Sequence, residues 1–458
     1  MNVDIRGWTF THWWVRPVVK VWFETYHKSV TYSGVEHINW DKPIIFAPSH
    51  QNAFSDALCL ILPTKYTNNR FIYPLIRADA FGKNTAIDWI LTAFHMLPVY
   101  RPRDRVNLKE QNESVFGDCY DILAKNRNLL IHPEGNCIPK KKVGRFKKGL
   151  ARIALGAEKR HNFDLGVTVI PVGINYRQIT EARKGIHVEF GKAVPVSQFE
   201  ESYREHEATA ITDLTRRVEE AVRAVTVDYN SVEYQLAEQV VQLKKQSTAE
   251  IDVTEGYSSK EVELEKEVID DLTNNLSGKE NLLKSTKQNM AKLRDELDKQ
   301  HINFNYSLVD KHSVRRLLAE GIGFIIALPL FLYGAINNIV PWLLIHAFAN
   351  AIEEKQFISS ARMLMGLLTF PLFYLAQGAV CWGATGSLWW TVAYMVSLPF
   401  SGILSLNLYE KWKDWKQQIR LKLPSKATND KISGLIAKVL NPSKSNSAAK
   451  PLTDSAQS

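Results

Sequence analysis

Pro43-Ile44-Ile45-Phe46-Ala47-Pro48-Ser49-His50-Gln51-Asn52-Ala53-Phe54-Ser55-Asp56 is the stretch from which the rest of the chain can be read. Pro43 to Ala47 is a short apolar run and predicts a strand. Ala57 to Leu62 predicts the start of a helix. Between them stand a histidine and an acid. Imidazole is the side chain suited to take a proton near neutrality. A carboxylate behind it can fix the tautomer and stabilise the imidazolium that forms. His50 and Asp56 are therefore candidate catalytic residues. A plainer reading, in which His50 bonds a loop and Asp56 caps the helix, stays open on this stretch alone.

Working outward, residues 30–200 alternate short apolar runs with helical stretches. Strands are expected at Ile44–Phe46, Phe71–Leu75, Leu129–His132, Val167–Val172 and His187–Phe190. Helices are expected around Asp56–Leu62, Asn84–Phe94, Asn107–Lys125 and Lys147–Lys159. The alternation predicts an α/β fold, a mixed sheet flanked by helices. Such a sheet carries its chemistry on loops beyond the carboxyl ends of strands.

Three further stretches fall at such ends. Arg101, Arg103 and Arg105 make a dense positive loop after Tyr100. Guanidinium groups bind phosphate in a bidentate way. Leu129 to His132 runs into the turn Pro133-Glu134-Gly135, where Glu134 could bind a substrate hydroxyl or hold a basic loop. That basic loop follows, with six positive charges between Lys140 and Lys148. Val167 to Val172 reads as a buried strand containing Pro171.

The chain has 458 residues, room for two or three domains, and its 45% hydrophobic content excludes a disordered chain. Its net charge of +9 is unevenly spread. Residues 1–200 hold 28 Lys and Arg against 18 Asp and Glu, whereas residues 201–300 hold 14 against 22. The basic excess can serve anionic headgroups, a phosphorylated substrate or nucleic acid. Cys59, Cys119, Cys137 and Cys381 are scattered, which fits a reducing compartment and offers no metal framework. Asp4, Arg6 and Arg16 interrupt the apolar residues of the N-terminus, so no signal peptide is expected. Residues 8–26 mix aromatics with single cations, and residues 1–30 read as a helix on a membrane surface, interrupted near Pro17.

These motifs, in this order, resemble the glycerolipid acyltransferases, the family of glycerol-3-phosphate and lysophosphatidate acyltransferases. His50 and Asp56 match its first block, Arg101 its second, Pro133-Glu134-Gly135 its third and Pro171 its fourth. Phe146-Lys147-Lys148-Gly149 resembles the segment that follows the third block. Two departures stand out. Five residues separate His50 from Asp56 where the family usually has four, a spacing similar to that of fungal-type glycerol-3-phosphate/dihydroxyacetone-phosphate acyltransferases. The third block usually opens with Phe and continues with Thr-Arg; here the residues are His132, Asn136 and Cys137, so Lys140 or Arg145 has to supply the charge.

The resemblance implies direct transfer from acyl-CoA or acyl-carrier protein to an alcohol, without an acyl-enzyme. No G-x-S-x-G elbow is present to suggest otherwise. His50 would take the hydroxyl proton and Asp56 would orient its ring. Arg101, Glu134, Gly135, Lys140, Arg145, Lys147 and Lys148 would bind the acceptor. No metal and no resident cofactor are implied. The acceptor would be glycerol 3-phosphate or its monoacyl form, with another lipid acceptor or a non-catalytic lipid-binding scaffold as alternatives. No nucleic-acid partner is expected, because no recognition motif is evident.

The acyltransferase domain is expected over residues 31–204. Residues 205–312 are acidic and helical in pattern, and predict a coiled pair with turns near Thr254–Tyr257 and Ser277–Gly278. Residues 313–422 hold the membrane segments, because 321–349 and 363–408 contain no Asp, Glu, Lys or Arg. Arg315 and Arg316 precede them, and Lys411, Lys413, Lys416 and Arg420 follow. Basic flanks on both sides predict an even number of crossings, with both ends and the catalytic domain on the cytoplasmic face. Residues 363–382 and 388–408 supply two, so 321–349 is expected to turn back at Asn337-Asn338 and Pro341. Residues 423–458 are expected to be a flexible tail.

Overall fold

A computed structural model describes residues 10–62, 71–82, 85–100, 108–230, 233–248, 256–310 and 312–442. The chain divides into two compact units. The first comprises residues 1–228, with 256–262 and 348–367 joined to it.

An eight-stranded sheet forms the centre of this first unit. Its strands are β1 (Val30–Ser33), β2 (Ile44–Pro48), β3 (Ile72–Arg77), β4 (Leu97–Val99), β5 (Asn128–Leu130), β6 (Thr168–Tyr176), β7 (Ile186–Phe190) and β8 (Val194–Pro195). Their order is β1-β7-β6-β2-β5-β3-β4, with β8 also on β6. The run β6-β2-β5-β3-β4 is parallel throughout, and β7 and β8 join β6 antiparallel. The sheet is thus mixed, as expected. All five strands anticipated from apolar runs are present.

Side chains alternate across the sheet and build a core on each face. On β2, Ile45 and Ala47 enter one core, with residues from α4 (Leu108–Ala124), α5 (Gly149–Arg160) and α7 (Glu207–Val225). Ile44 and Phe46 enter the other, with Phe23 and Tyr26 of α1 (Phe10–His27) and Leu58 and Leu60 of α2 (Ala53–Ile61). Helices α3 (Thr85–Ala93) and α6 (Glu200–Glu205) complete the unit's connections.

Two boundaries differ from expectation. The domain does not end at residue 204, because α7 supplies Leu214, Val218 and Val222 to the sheet's core. The amide of Asn175 on β6 also holds the end of α7 through Val225 O at 3.1 Å and Val227 N at 2.8 Å. Nor is α1 interrupted at Pro17; the helix runs through it. Its inner face is core, with Phe23 and His27 buried, while Trp14, Val18 and Val21 stand exposed on its outer face. The start of α12 (Ile358–Thr385) lies against α1, where Trp22 Nε1 donates to Met363 O at 2.7 Å.

The second unit is helical: α8 (Tyr234–Ser247), most of α9 (Ser259–Leu276), α10 (Glu280–Lys299), most of α11 (Val314–Asn350) and of α12, α13 (Leu388–Leu421) and α14 (Lys426–Leu440). The turn at Ser277–Gly278 separates α9 from α10 as expected. The expected turn near Thr254–Tyr257 falls partly outside the described residues. The expected flexible tail is corrected in its first part: α14 packs on α10 and α8, with Ile432 and Val439 buried and Lys431 Nζ paired to Glu296 at 2.6 Å, while residues 443–458 lie outside the described residues. Ser425 caps this helix by accepting from Thr428 N. A Ser- and Lys-rich composition concealed a capped amphipathic helix.

Three helices, α11, α12 and α13, are long and apolar enough to cross a membrane. The expected hairpin within 321–349 is absent, since α11 is one continuous helix of 37 residues. Asn337 and Asn338 donate from Nδ2 to Tyr333 O and Gly334 O, each at 2.8 Å. Their side-chain oxygens accept from Tyr394 at 2.6 Å and Tyr374 at 2.7 Å. Residues read as a turn instead hold the helix to its neighbours. With 321–349 one helix, three full crossings would place the two basic flanks on opposite faces, and the even-number argument lapses.

Candidate active site

β2, β5 and β6 lie side by side and parallel, so the loops beyond their carboxyl ends meet. His50 follows β2, His132 follows β5 and Tyr176 ends β6. The His50 loop is tied to β6 by Ser49, whose N–H donates to Val172 O at 3.0 Å while its Oγ accepts from Ile174 N at 3.0 Å.

His50 Nδ1 lies 2.9 Å from Asp56 Oδ2. The extra residue between them is absorbed by the loop: Gln51 N and Asn52 N also donate to Oδ2, each at 2.8 Å. Asp56 sits in the first turn of α2 and is fully buried. Its other oxygen, Oδ1, accepts from Tyr176 Oη at 2.6 Å. The carboxylate is therefore anchored by four donors, and Nδ1–H of His50 points at it. That arrangement leaves Nε2 as the basic nitrogen. The imidazole side chain keeps 17% of its surface open, so a substrate hydroxyl can reach it.

Glu134 is buried, and its two oxygens face two loops. Oε1 accepts from His50 N at 2.8 Å and Oε2 from Gly144 N at 2.7 Å. Of the two roles weighed for it, this geometry matches holding the basic loop rather than binding a hydroxyl. Burial raises the Glu134 pKa, and the two amide hydrogen bonds oppose that rise. Gly144 has to be glycine for the staple to close, since a Cβ there would stand 2.8 Å from Oε2. Gly135 turns the chain with φ +68°, a conformation that favours glycine.

Lys140, Arg145, Lys147 and Lys148 are all exposed around this turn. Lys147 N donates to Pro133 O at 2.7 Å, which fixes the basic loop to the Pro-Glu-Gly turn. Lys148 reaches away to Thr212 of α7 at 2.8 Å. Arg101 lies outside the described residues. Pro171 sits inside β6, paired with Ala47 of β2, and contributes by setting the strand beside His50.

Three residues of the site were not singled out in the sequence. His132 stacks on His50 with ring centroids 3.9 Å apart and planes 18° from parallel. Burial and the neighbouring His50 hold its pKa well below the usual imidazole value, so it stays neutral. Cys137 Sγ accepts from Ala53 N at 3.0 Å, and burial raises its thiol pKa. Tyr176 is the third; its phenol pKa is also raised, first by burial and then by Asp56. His50, Asp56 and Cys137 offer ligand atoms within 4.8 Å of one another, the one such group among the described residues. Asp56 already spends both oxygens on donors, so the group reads as a hydrogen-bonded cluster. For His132 and Cys137 the available signal was their departure from the third block; Tyr176 gave none.

The family model described as Acyltransferase matches residues 29–175. Glycerol-3-phosphate O-acyltransferase 1 of Saccharomyces cerevisiae is 26% identical over 136 residues, 29% of this chain. The match spans 18% of the yeast protein's length. Among solved structures, the 1-acyl-sn-glycerophosphate (LPA) acyltransferase PlsC of Thermotoga maritima is 19% identical, with a TM-score of 0.32 over 47% of this chain and 82% of that one. Residues 29–175 are thus similar to the acyltransferase domains of the glycerolipid acyltransferases.

Proposed function

We propose that this chain is a membrane-bound O-acyltransferase that moves a fatty acyl group from acyl-CoA or acyl-carrier protein to glycerol 3-phosphate or 1-acylglycerol 3-phosphate. The observation that carries the reading is the partly exposed imidazole of His50 with Nδ1 on the buried Asp56. His50 Nε2 takes the proton of the acceptor hydroxyl as its oxygen attacks the thioester carbonyl. The tetrahedral intermediate collapses, the C–S bond breaks, and the leaving thiolate receives a proton. No acyl-enzyme and no resident cofactor take part. Arg101, Lys140, Arg145 and Lys147 meet the acceptor phosphate, with Lys148 at the edge of that set. The chemistry takes place on the cytoplasmic face, where both thioester donors are found. The outer face of α1, with Trp14, Val18 and Val21, rests on the lipid surface.

Purified protein incubated with labelled acyl-CoA or acyl-carrier protein and a panel of acceptors tests this. Transfer to a phosphorylated glycerol is expected, with His50→Ala lowering it by about a thousandfold or more. Transfer to a different lipid instead would reassign the acceptor. No transfer to any acceptor, with headgroup binding intact, would leave a scaffold. Activity of His50→Ala near that of the parent would remove His50 as the base.

A further inference from the structure

Asp56 is fully buried, shut off from bulk water, and four protein donors meet its carboxylate. Three donors belong to the His50 loop and all three converge on Oδ2. Oδ1 is met from elsewhere, by the Tyr176 hydroxyl at 2.6 Å, across 120 residues of sequence. Tyr176 is 1% exposed and sits at the last position of β6. Its ring is packed in the same core as Leu58, Cys59 and Ile174.

We propose that Tyr176 is a positioning residue for acyl transfer, setting the orientation and the proton affinity of the His50–Asp56 pair through Asp56 Oδ1. The inference rests on His50 being the base. A carboxylate held by one oxygen pivots about that contact; held by both, it is fixed in its plane, and so is the imidazole it directs. The phenol also draws charge from the carboxylate. With it gone, the pair binds a proton more readily, and His50 is free as a base only at higher pH. Other titratable groups facing the pair or Tyr176 are His132 and Glu134 beyond β5, Cys137 beside Ala53, Cys59 on α2 and His27 on α1, its ring centroid 6.2 Å from that of Tyr176. None of these supplies a donor to Oδ1 in the described structure.

The experiment is the pH profile of kcat/KM in the full-length protein with acyl-CoA. Tyr176→Phe keeps the ring and removes only the hydroxyl. Its acid limb should move up by roughly half to one pH unit, with kcat about tenfold lower and KM for donor and acceptor unchanged. Replacing Tyr176 site-specifically by a fluorinated tyrosine strengthens the donor and should move the limb down. Opposite shifts are not produced by a purely structural role. An unmoved acid limb in both variants overturns the inference, even if activity falls. Should Tyr176→Phe fail to fold, the fluorinated variant decides by its direction alone. His50→Ala keeps the two questions apart: full activity there defeats the base, whereas loss there with unmoved limbs here defeats only Tyr176.

Discussion

Ser49-His50-Gln51-Asn52 and Asn337-Asn338-Ile339-Val340-Pro341 look alike in sequence, since each sets turn-favouring polar residues against an apolar run. The first bends and the second does not. Beyond β2, the loop's amides are freed from the sheet and find Asp56, so leaving the strand costs no hydrogen bond. α11 is long and apolar enough to cross a membrane, and inside a bilayer a bend would strand backbone groups where no water reaches them. The chain therefore stays helical, and the Asn side chains bond to carbonyls one turn back. Pro341 has no N–H to offer Asn337 O, the carbonyl four residues earlier. Gln377 Nε2 of α12 supplies that hydrogen bond instead, at 2.9 Å. The same residue types make a turn in one solvent and an interhelical contact in another.

The sharpest way to break the first half of this comparison is Asp56→Asn. The side-chain amide would present N–H groups to the Gln51 and Asn52 amides, or turn its oxygen to them and lose Tyr176. In the first case His50 is left in the wrong tautomer; in the second Nδ1 keeps its acceptor, because all three loop donors share Oδ2, but the negative charge that stabilises the imidazolium is gone. A fall in kcat of about 10³- to 10⁴-fold is expected, with an unchanged circular dichroism spectrum. A fall of less than tenfold would mean that Asp56 serves only to hold the Gln51–Asn52 loop against α2.

The comparison also explains what could be read in advance. Ile44 to Ala47 and Val167 to Val172 are apolar runs bounded by breaks, and both became central strands. Val30–Ser33, Leu97–Val99 and Val194–Pro195 are too short, at four, three and two residues, to show a period. His50 and Asp56 are near neighbours in sequence, so their pairing was legible; Tyr176 reaches them through sheet order, which no local pattern encodes. Glu134 was visible as an acid on a turn, but its partners are backbone amides, and backbone amides leave no mark in a sequence. Asn337 and Asn338 were misread because turn rules were learned in water.

His27 extends the contrast to pH. Its ring is 1% exposed between Phe23 and Tyr26, and its Nε2 is buried without a partner. Burial pushes its pKa from 6.5 down to about 3. The unfolded chain takes up a proton near 6.5 and the folded chain does not until about 3, so stability is whole above that window and is lost as pH falls through it. The loss runs to about 1.4 kcal/mol per pH unit. His132, also held neutral by burial, adds a loss of the same sign. Unfolding midpoints of the detergent-solubilised chain between pH 8 and pH 5 should fall, and His27→Phe should flatten that fall. An identical slope in the variant would assign the acid sensitivity to other groups.

The smallest effect tests the second half of the comparison most directly. Gln377→Leu keeps the bulk of the side chain and removes its donor to Asn337 O. Hydrogen bonds between membrane helices average about 0.6 kcal/mol and reach about 1.7. A destabilisation in that range is expected for the lipid-embedded chain, read from its unfolding in sodium dodecyl sulfate. Pro341→Ala restores the N–H that proline lacks and lets α11 satisfy Asn337 O by itself. In that background the same Gln377→Leu change should cost close to nothing. The difference between the two costs is the part owed to the carbonyl that proline leaves open. Equal costs with and without Pro341 would show that Gln377 stabilises the helices by packing, and that the bonding seen at Asn337 is incidental to α11 staying helical.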